Sequence, residues 1–337
     1  MSDDRVLLSH GAGGKKSSEL TKGIFLKYFN DPALVELNDM AVLDLPDGRV
    51  SMSTDTYVVD PIFFPGGDIG SLAVHGTVND VAMAGAVPFA ISVAFILEEG
   101  LPLADLDRIA GSMALAAIEA GVRIVTADTK VVPRGAADKL FINTTGLGIV
   151  PKGISVSGSA AREGDHILLS GAIGDHGIAI ASSREGIAFK TTVMSDSAPL
   201  NGMIYELVKA LGQDIHVLRD PTRGGLATLL NEIASQSGVG VEIEETAIPV
   251  RDAVKGACEL LGYDPLYLAN EGKLVAVVAQ DASERALEIM RAGKYGKDAC
   301  LIGEITGENP RKVILRTAMG GKRLVDKLSG EMLPRIC

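Results

Sequence analysis

From about Met40 to Val150, apolar runs of strand length alternate with longer stretches whose apolar residues recur at helical spacing. "RVSMSTDTYVV" and "PFAISVAFIL" read as strands, and "GSLAVHGTVNDVAMAGA" between them as a helix rich in glycine and alanine. "ADLDRIAGSMALAAIEAG" predicts a long amphipathic helix with Leu106, Ile109, Met113 and Ala117 on one side. "RIVTADTKVV" and "KLFINTTGLGIV" add two strands. A chain patterned this way must bury a sheet against helices. A shift in composition at "PKGISVSGSAAREGD" marks a linker. Beyond it the mixture repeats. "HILLSGAIG", "VGVEIEE", "KLVAVVA" and "CLIGEI" read as strands, with helices near Asn201–Leu211 and Leu226–Ser235. The fold class is therefore mixed α/β or α+β in two domains, which suits 337 residues.

Four intervals are expected. A glycine-loop segment covers 1–40, with a helix starting near Ser18 that carries Leu20, Ile24 and Tyr28 on one face. An N-terminal domain covers 41–152 and a C-terminal domain 153–318. The interval 319–337 reads as an extended tail with a short ordered stretch, glycines as hinges and a proline stiffening its tip.

Charge and composition exclude several functions. The net charge of −11 repels phosphate backbones, and aromatic residues, 4% with no tryptophan, offer few platforms for base stacking. Nucleic acid is an unsuitable partner. The longest apolar run is too short to span a bilayer, and the acidic start "MSDDRVLLSH" is unlike a signal peptide. Three cysteines are too few for a disulfide framework and point to a reducing cytoplasm. Cys258 sits at helical spacing from Val254 and Leu261 and reads as core, and Cys300 as the start of a buried strand. Cys337, the last residue of the sequence, is the unusual one. Prenylation would need a cysteine four places from the end. A thiol there is either an accident or a mobile tool.

The segments that could carry chemistry are glycine loops and aspartates. "HGAGGKKSS" fails the spacing of a P-loop, yet Gly11, Gly13 and Gly14 before a serine-capped helix could offer backbone N–H groups to an anion or form a plain turn. Asp55, Asp68, Asp80, Asp128 and Asp220 each have small neighbours that leave room for a hydrated cation and its phosphates. Each could equally be a turn or helix cap. Gly76, Asp80 and Ala84 share a helical face, with His75 and Asn79 beside it. In "LRDPTRGGL" the proline and paired glycines force a turn that puts Asp220 and Arg223 on a loop.

"STDTYVVDPIFFPGGDIGSLAVHGTVNDVAMAGAVP", "TADTKVV", "SGAIGDHGIAI", "DPTRGGL", "NEG" and the final "PRIC" together resemble the HypE family of hydrogenase-maturation carbamoyl dehydratases. The resemblance runs over essentially the whole chain. Looser forms of the internal motifs occur in a wider superfamily with aminoimidazole ribonucleotide synthetase, selenophosphate synthetase and thiamine-monophosphate kinase. The terminal "PRIC" discriminates, since those relatives do not end on cysteine.

The resemblance implies an ATP- and Mg²⁺-using enzyme of nickel–iron hydrogenase maturation. The carbamoyltransferase HypF would load a carbamoyl group on the Cys337 sulfur. The enzyme would dehydrate this thiocarboxamide to a thiocyanate, and the cyano group would pass to iron on the HypC–HypD complex. Asp55, Asp80, Asp128 and Asp220 would hold metal and triphosphate, with Asp68 a further metal-holding member and Gly11, Gly13 and Gly14 closing over the phosphates. Lys130, on the same strand face as Asp128, would stabilise charge or shuttle a proton. Glu271 would be the base or would position one, and His75 would line the site of the incoming tail. The architecture implied is an N-terminal sheet paired across a homodimer, a C-terminal α/β sandwich, and ATP between the domains. Two other readings compete: a small-molecule kinase or synthetase, which leaves Cys337 idle, and a non-enzymatic thiol carrier, which leaves the aspartates idle.

Overall fold

The computed structural model describes residues 4–38, 40–185, 193–328, 330, 333 and 335–337. Pro334, expected to stiffen the tip of the tail, lies outside the described residues. Near the start, α1 (Lys15–Leu20) runs through a wider turn at Thr21–Phe25 into α2 (Leu26–Tyr28), followed by α3 (Pro32–Val35). Leu20 and Ile24 are buried on the expected face.

The N-terminal sheet comprises β1 (Arg49–Tyr57), β4 (Val87–Glu98), β5 (Arg123–Val132) and β6 (Leu140–Val150), in the order β1-β6-β4-β5. A two-residue ribbon, β2 (Phe63–Phe64) and β3 (Gly67–Asp68), leads into α4 (Ile69–Ala82), and α5 (Leu103–Ala120) joins β4 to β5. Leu72, Val74, Ile109 and Met113 seal one face of the sheet. α4 lies unusually close to the strands. A Cβ on Gly76 would overlap the Tyr57 hydroxyl, and a Cβ on Gly146 would sit 2.8 Å from Thr77. Small residues at these points let α4 press on β1 and β6, which carries Asp80 up to β1. Among the described residues nothing seals the other face of the sheet: Val50, Met52 and Ile96 are exposed on it.

The C-terminal domain holds a seven-stranded sheet, ordered β13-β12-β9-β11-β7-β10-β8. Its strands are β7 (His166–Leu169), β8 (Ile215–Arg219), β9 (Gly240–Glu244), β10 (Val275–Val278), β11 (Cys300–Thr306), β12 (Val313–Arg316) and β13 (Lys322–Val325). All its pairings are antiparallel except β9 with β12. Strand residues alternate between faces. Ile167, Val217 and Val275 meet α8 (Gly225–Ser237) on one side. Leu168, Leu218 and Ala276 meet α7 (Asn201–Leu211) and α10 (Ser283–Ala292) on the other. Helices on both faces make this a sandwich. α6 (Asp175–Glu185) and α9 (Asp252–Leu261) flank it, and α9 buries Cys258. β13 falls inside the interval expected as a tail; it is the ordered stretch there. Among the described residues, no helix is long and apolar enough to cross a membrane.

Residues 195–201 stitch the domains together. Asn79 of α4 donates to the Ala198 carbonyl at 3.0 Å and accepts from the Leu200 N–H at 2.7 Å. Asn201 donates to the Ala120 carbonyl at 2.7 Å.

Candidate active site between the domains

The site is a group of acids at the domain junction. Asp55 comes from β1 and Asp80 from the last turn of α4, where Ser53 donates to its Oδ2 at 2.8 Å. Asp220 follows β8, and Glu271 lies in the loop before β10. Each loop is forced by its glycines. In "DPTRGG", Gly224 and Gly225 both have positive φ, and a Cβ on Gly225 would stand 2.6 Å from the Leu266 and Leu268 carbonyls. In "NEG", a Cβ on Gly272 would overlap the Asp196 carbonyl. Asp196 in turn accepts from the Glu271 N–H at 3.1 Å and pairs with Lys273 at 2.9 Å.

The acids perturb one another. Burial first, then Asp220 and Asp196, push the Glu271 carboxyl well above its ordinary range. Burial and then Asp80 push Asp220 up to about 7. Asp80 is also raised, mainly by burial and by Asp55. Arg223 lies 3.6 Å from Asp55, and the Arg219 guanidinium, paired with Glu232, also acts on Asp80 and Asp220. The cluster is thus short of positive charge, an arrangement that costs stability and marks a functional site.

Cys337 reaches it. Its side chain is buried, lines one cavity with Arg223, and is close enough to Glu271 and Arg223 to feel their charges. Burial and then Glu271 push the thiol up to about 12. The tail is seated along residues 58–60. The Val58 N–H donates to the Cys337 carbonyl at 3.0 Å and the Asp60 N–H to the Arg335 carbonyl at 3.3 Å. Arg335 donates to the Val58 carbonyl at 3.1 Å and pairs with Asp138. Arg184 donates to the carbonyls of Asp60 and Arg335. A cavity of about 410 Å³ opens beside Cys337, lined by Arg223, Tyr267 and Leu333 among others.

The structure therefore brings together Asp55, Asp80, Asp220, Glu271 and Cys337. It sets Gly11, Gly13, Asp128 and Lys130 in a second hollow of about 310 Å³. There Lys130 lies 3.6 Å from Asp128, both exposed. A Cβ on Gly11 would stand 2.8 Å from the Val131 nitrogen, and Gly13 has φ +77°, so both positions favour glycine. The helix expected to start near Ser18 under a serine cap starts at Lys15, and its N-cap is Gly14, with no side-chain cap. Register puts Asp128 on the cross-strand row of Thr56, through Ala94 and Asn143. The row spans three inter-strand gaps, so Asp128 stands roughly 14 Å from β1.

Two of the expected site residues lie apart from this cluster. Asp68, expected among the metal-holding carboxylates, is the N-cap of α4. Its Oδ1 accepts from Gly70 N at 2.8 Å, Ser71 N at 3.0 Å and Ser112 Oγ at 2.5 Å. It lies a helix length, roughly 18 Å, from Asp80. His75, expected to line the tail's site, instead meets Ser197 Oγ through Nδ1 at 3.0 Å. The charges it feels are Glu119 and Lys294, away from the acid cluster, and burial pushes its pKa down to about 4. Sequence reasoning assigned no role to Asp196, Lys273, Arg184 or Asp138. Arg223 stood on a quoted loop, but nothing in the sequence tied it to Cys337.

Models of the AIR synthase related protein family match this chain, the N-terminal domain over residues 37–150 and the C-terminal domain over 162–316. A relative from Azotobacter vinelandii, carbamoyl dehydratase HypE, is 55% identical over 98% of this chain and 97% of its own length. The crystal structure of hydrogenase maturation protein HypE in complex with ATP superposes with a TM-score of 0.95 at 54% identity, covering 98% of this chain and 99% of that one. A HypE chain from the crystal structure of a HypE–HypF complex matches with a TM-score of 0.81 at 50% identity, covering 92% of this chain and 99% of that one. With the same two-domain fold and this identity over its full length, the chain belongs to the carbamoyl dehydratase HypE family.

Proposed function

We propose that this protein uses ATP to dehydrate a carbamoyl group carried on its own Cys337, turning an S-thiocarboxamide into an S-thiocyanate for the cyanide ligands of nickel–iron hydrogenase. The observation that carries this is the seat of Cys337: it is buried, held by the Val58 N–H, and lines one cavity with Arg223, near enough to Glu271 and Asp55 for their charges to act on the thiol. A thiol with a pKa near 12 is a poor free nucleophile. The seated cysteine therefore serves as a carrier, and its loading belongs outside the cleft. The HypF of the known HypE–HypF complex supplies the fitting partner. The HypC–HypD complex is the proposed acceptor of the cyano group.

Amide oxygen is a poor leaving group. Transfer of the ATP γ-phosphoryl to that oxygen makes phosphate the leaving group and releases ADP. Loss of both protons from nitrogen and departure of phosphate leave sulfur bonded to C≡N, so the elements of water leave as part of phosphate. The protein's share is placement and charge. Glu271, whose pKa is raised first by burial and then by its acidic neighbours, would take a proton from the carbamoyl nitrogen, and a raised pKa makes its ionised form the stronger base. Arg223 faces the sulfur and steadies charge on the adjoining oxygen.

Mg²⁺ suits the cluster. Among the described residues no three acidic, histidine or cysteine groups converge to chelate a metal unaided. Mg²⁺ typically takes one or two carboxylates plus phosphate oxygens and waters. Asp55, Asp80 and Asp220 would hold it, and it would offset the crowded negative charge.

Asp128 and Lys130 lie at the far edge of the sheet from β1, so their contribution comes from a second copy. A homodimer pairing the unsealed sheet faces would cover Val50, Met52 and Ile96 and bring that edge toward the partner's acids. The glycine loop at Gly11–Gly14 would travel with it. The test is ATP turnover. ADP release should require carbamoylated Cys337 and be absent in Cys337→Ala with nucleotide affinity retained; turnover independent of the tail would refute the reading.

A further inference from the structure

The motif "SGAIGDHGIAI" contributes a buried histidine that the reaction as written leaves without a role. His176 lies in the first turn of α6 and has no exposed surface. Its Nε2 is 2.8 Å from the carbonyl oxygen of Ile336, the peptide immediately before Cys337. A carbonyl can only accept, so Nε2 carries the hydrogen. Burial lowers the pKa of the ring and keeps it neutral, so Nδ1 is an acceptor. Ser195 Oγ, 2.8 Å away, donates to it. Phe64 meets the ring edge-on at 5.6 Å and limits its rotation.

Ser195 begins the segment that clasps Glu271. Its N–H is fixed by the Pro65 carbonyl at 2.7 Å, and its Oγ accepts from the Ser197 N–H at 3.1 Å. Asp196 and Ala198 then hold the two sides of the Glu271 peptide unit. Asp196 Oδ1 accepts from the Glu271 N–H, and the Ala198 N–H donates to the Glu271 carbonyl at 3.3 Å. One imidazole therefore bonds the carrier peptide on one nitrogen and the clasp of Glu271 on the other.

We propose that His176 is a positioning residue that sets the carbamoyl group on Cys337 against Glu271. This rests on the proposed function. The ring touches no reacting atom; it fixes the distance between two segments that do. A displacement of about 1 Å at a reacting centre can cost about 10²-fold in rate.

The test uses the full-length protein carbamoylated at Cys337 by HypF. Asparagine places its amide near Nδ1 and keeps Ser195 but cannot reach Ile336. Glutamine places its amide near Nε2 and can still donate to Ile336. Single-turnover dehydration with ATP, read by mass, should slow about 10- to 100-fold in His176→Asn and stay within about fivefold of wild type in His176→Gln. Alkylation of Cys337 by iodoacetamide in the uncarbamoylated protein should accelerate in His176→Asn and not in His176→Gln. Ser195→Ala should slow dehydration without exposing Cys337, and this arm stands even if His176→Asn fails to fold. Equal loss in the asparagine and glutamine variants, or none in either, would overturn the proposal. A wild-type protein that never loses water with ATP would instead overturn the proposed function, and the alkylation rates would still report whether His176 seats the tail.

Discussion

Lys273 and Asp196 form an ion pair of 2.9 Å directly behind Glu271, with both side chains less than a tenth exposed. Lys273 holds Asp196 ionised, so that its Oδ1 can accept from the Glu271 N–H. Lys273→Met would leave that carboxylate buried and alone. The expected loss is about 3–5 kcal/mol, read as a lowered denaturation midpoint at neutral pH. Asp196 has a lowered pKa in the folded state. Its stabilising share is therefore present above the ordinary aspartate pKa and lost as pH falls below it. The wild-type and Lys273→Met midpoints should converge as acid is added.

Asp220 should behave in the opposite sense. Its folded pKa, about 7, lies above the unfolded value, so between about pH 4 and 7 the native state binds more protons than the unfolded chain. Stability of the nucleotide-free protein should fall as pH rises through that window. Asp220→Asn should flatten the fall and raise the melting temperature at pH 8, while weakening binding of Mg²⁺ and ATP. This is the trade between stability and function expected where like charges are crowded for a purpose. Thermal scans across pH, with and without nucleotide, check both halves.

Gly76 lets α4 reach β1, and Gly76→Ala would drive a methyl into the Tyr57 hydroxyl. The cost should be about 1–3 kcal/mol and should shift Asp80 away from Ser53, lowering ATP affinity as well. Tyr57→Phe in the same chain should return part of both losses, measured as a double-mutant cycle.

The tail's seat can be weakened without touching the acids. Arg335 holds the Val58 carbonyl and Asp138. Arg335→Ala should raise the rate of iodoacetamide alkylation at Cys337 by about fivefold to tenfold, from a lost interaction of about 1 kcal/mol. Cys258, buried in α9 with its thiol pushed up to about 11, should stay unmodified in both proteins and serves as an internal control.

Much of this was legible in the sequence. The stretch "PFAISVAFIL" became β4, because an apolar run of that length bounded by proline and glycine leaves few alternatives to a buried strand, and the β-branched and aromatic residues of "RVSMSTDTYVV" became the largely open strand β1. The paired glycines after Asp220 do open α8 at Gly225. Convergence was harder to read. Asp68 and Asp80 sit in similar stretches with glycine or alanine close by, yet one caps α4 and the other faces β1 from its far end. His75 shares a helix with Asp80 but turns to Ser197. Helical spacing assigns neighbours along one element and says nothing about which element comes to meet them. Asp196, Lys273 and His176 escaped for the same reason: each acts by fixing a segment distant in sequence.

The central claim is tested most directly by the mass of the peptide ending in Cys337 after the protein is incubated with HypF and carbamoyl phosphate, first without ATP and then with it. The account predicts a carbamoyl adduct on Cys337 without further change in the first sample, and the same adduct less one water in the second. An adduct on Cys258 or Cys300, or one on Cys337 that keeps its water in the presence of ATP, would contradict it.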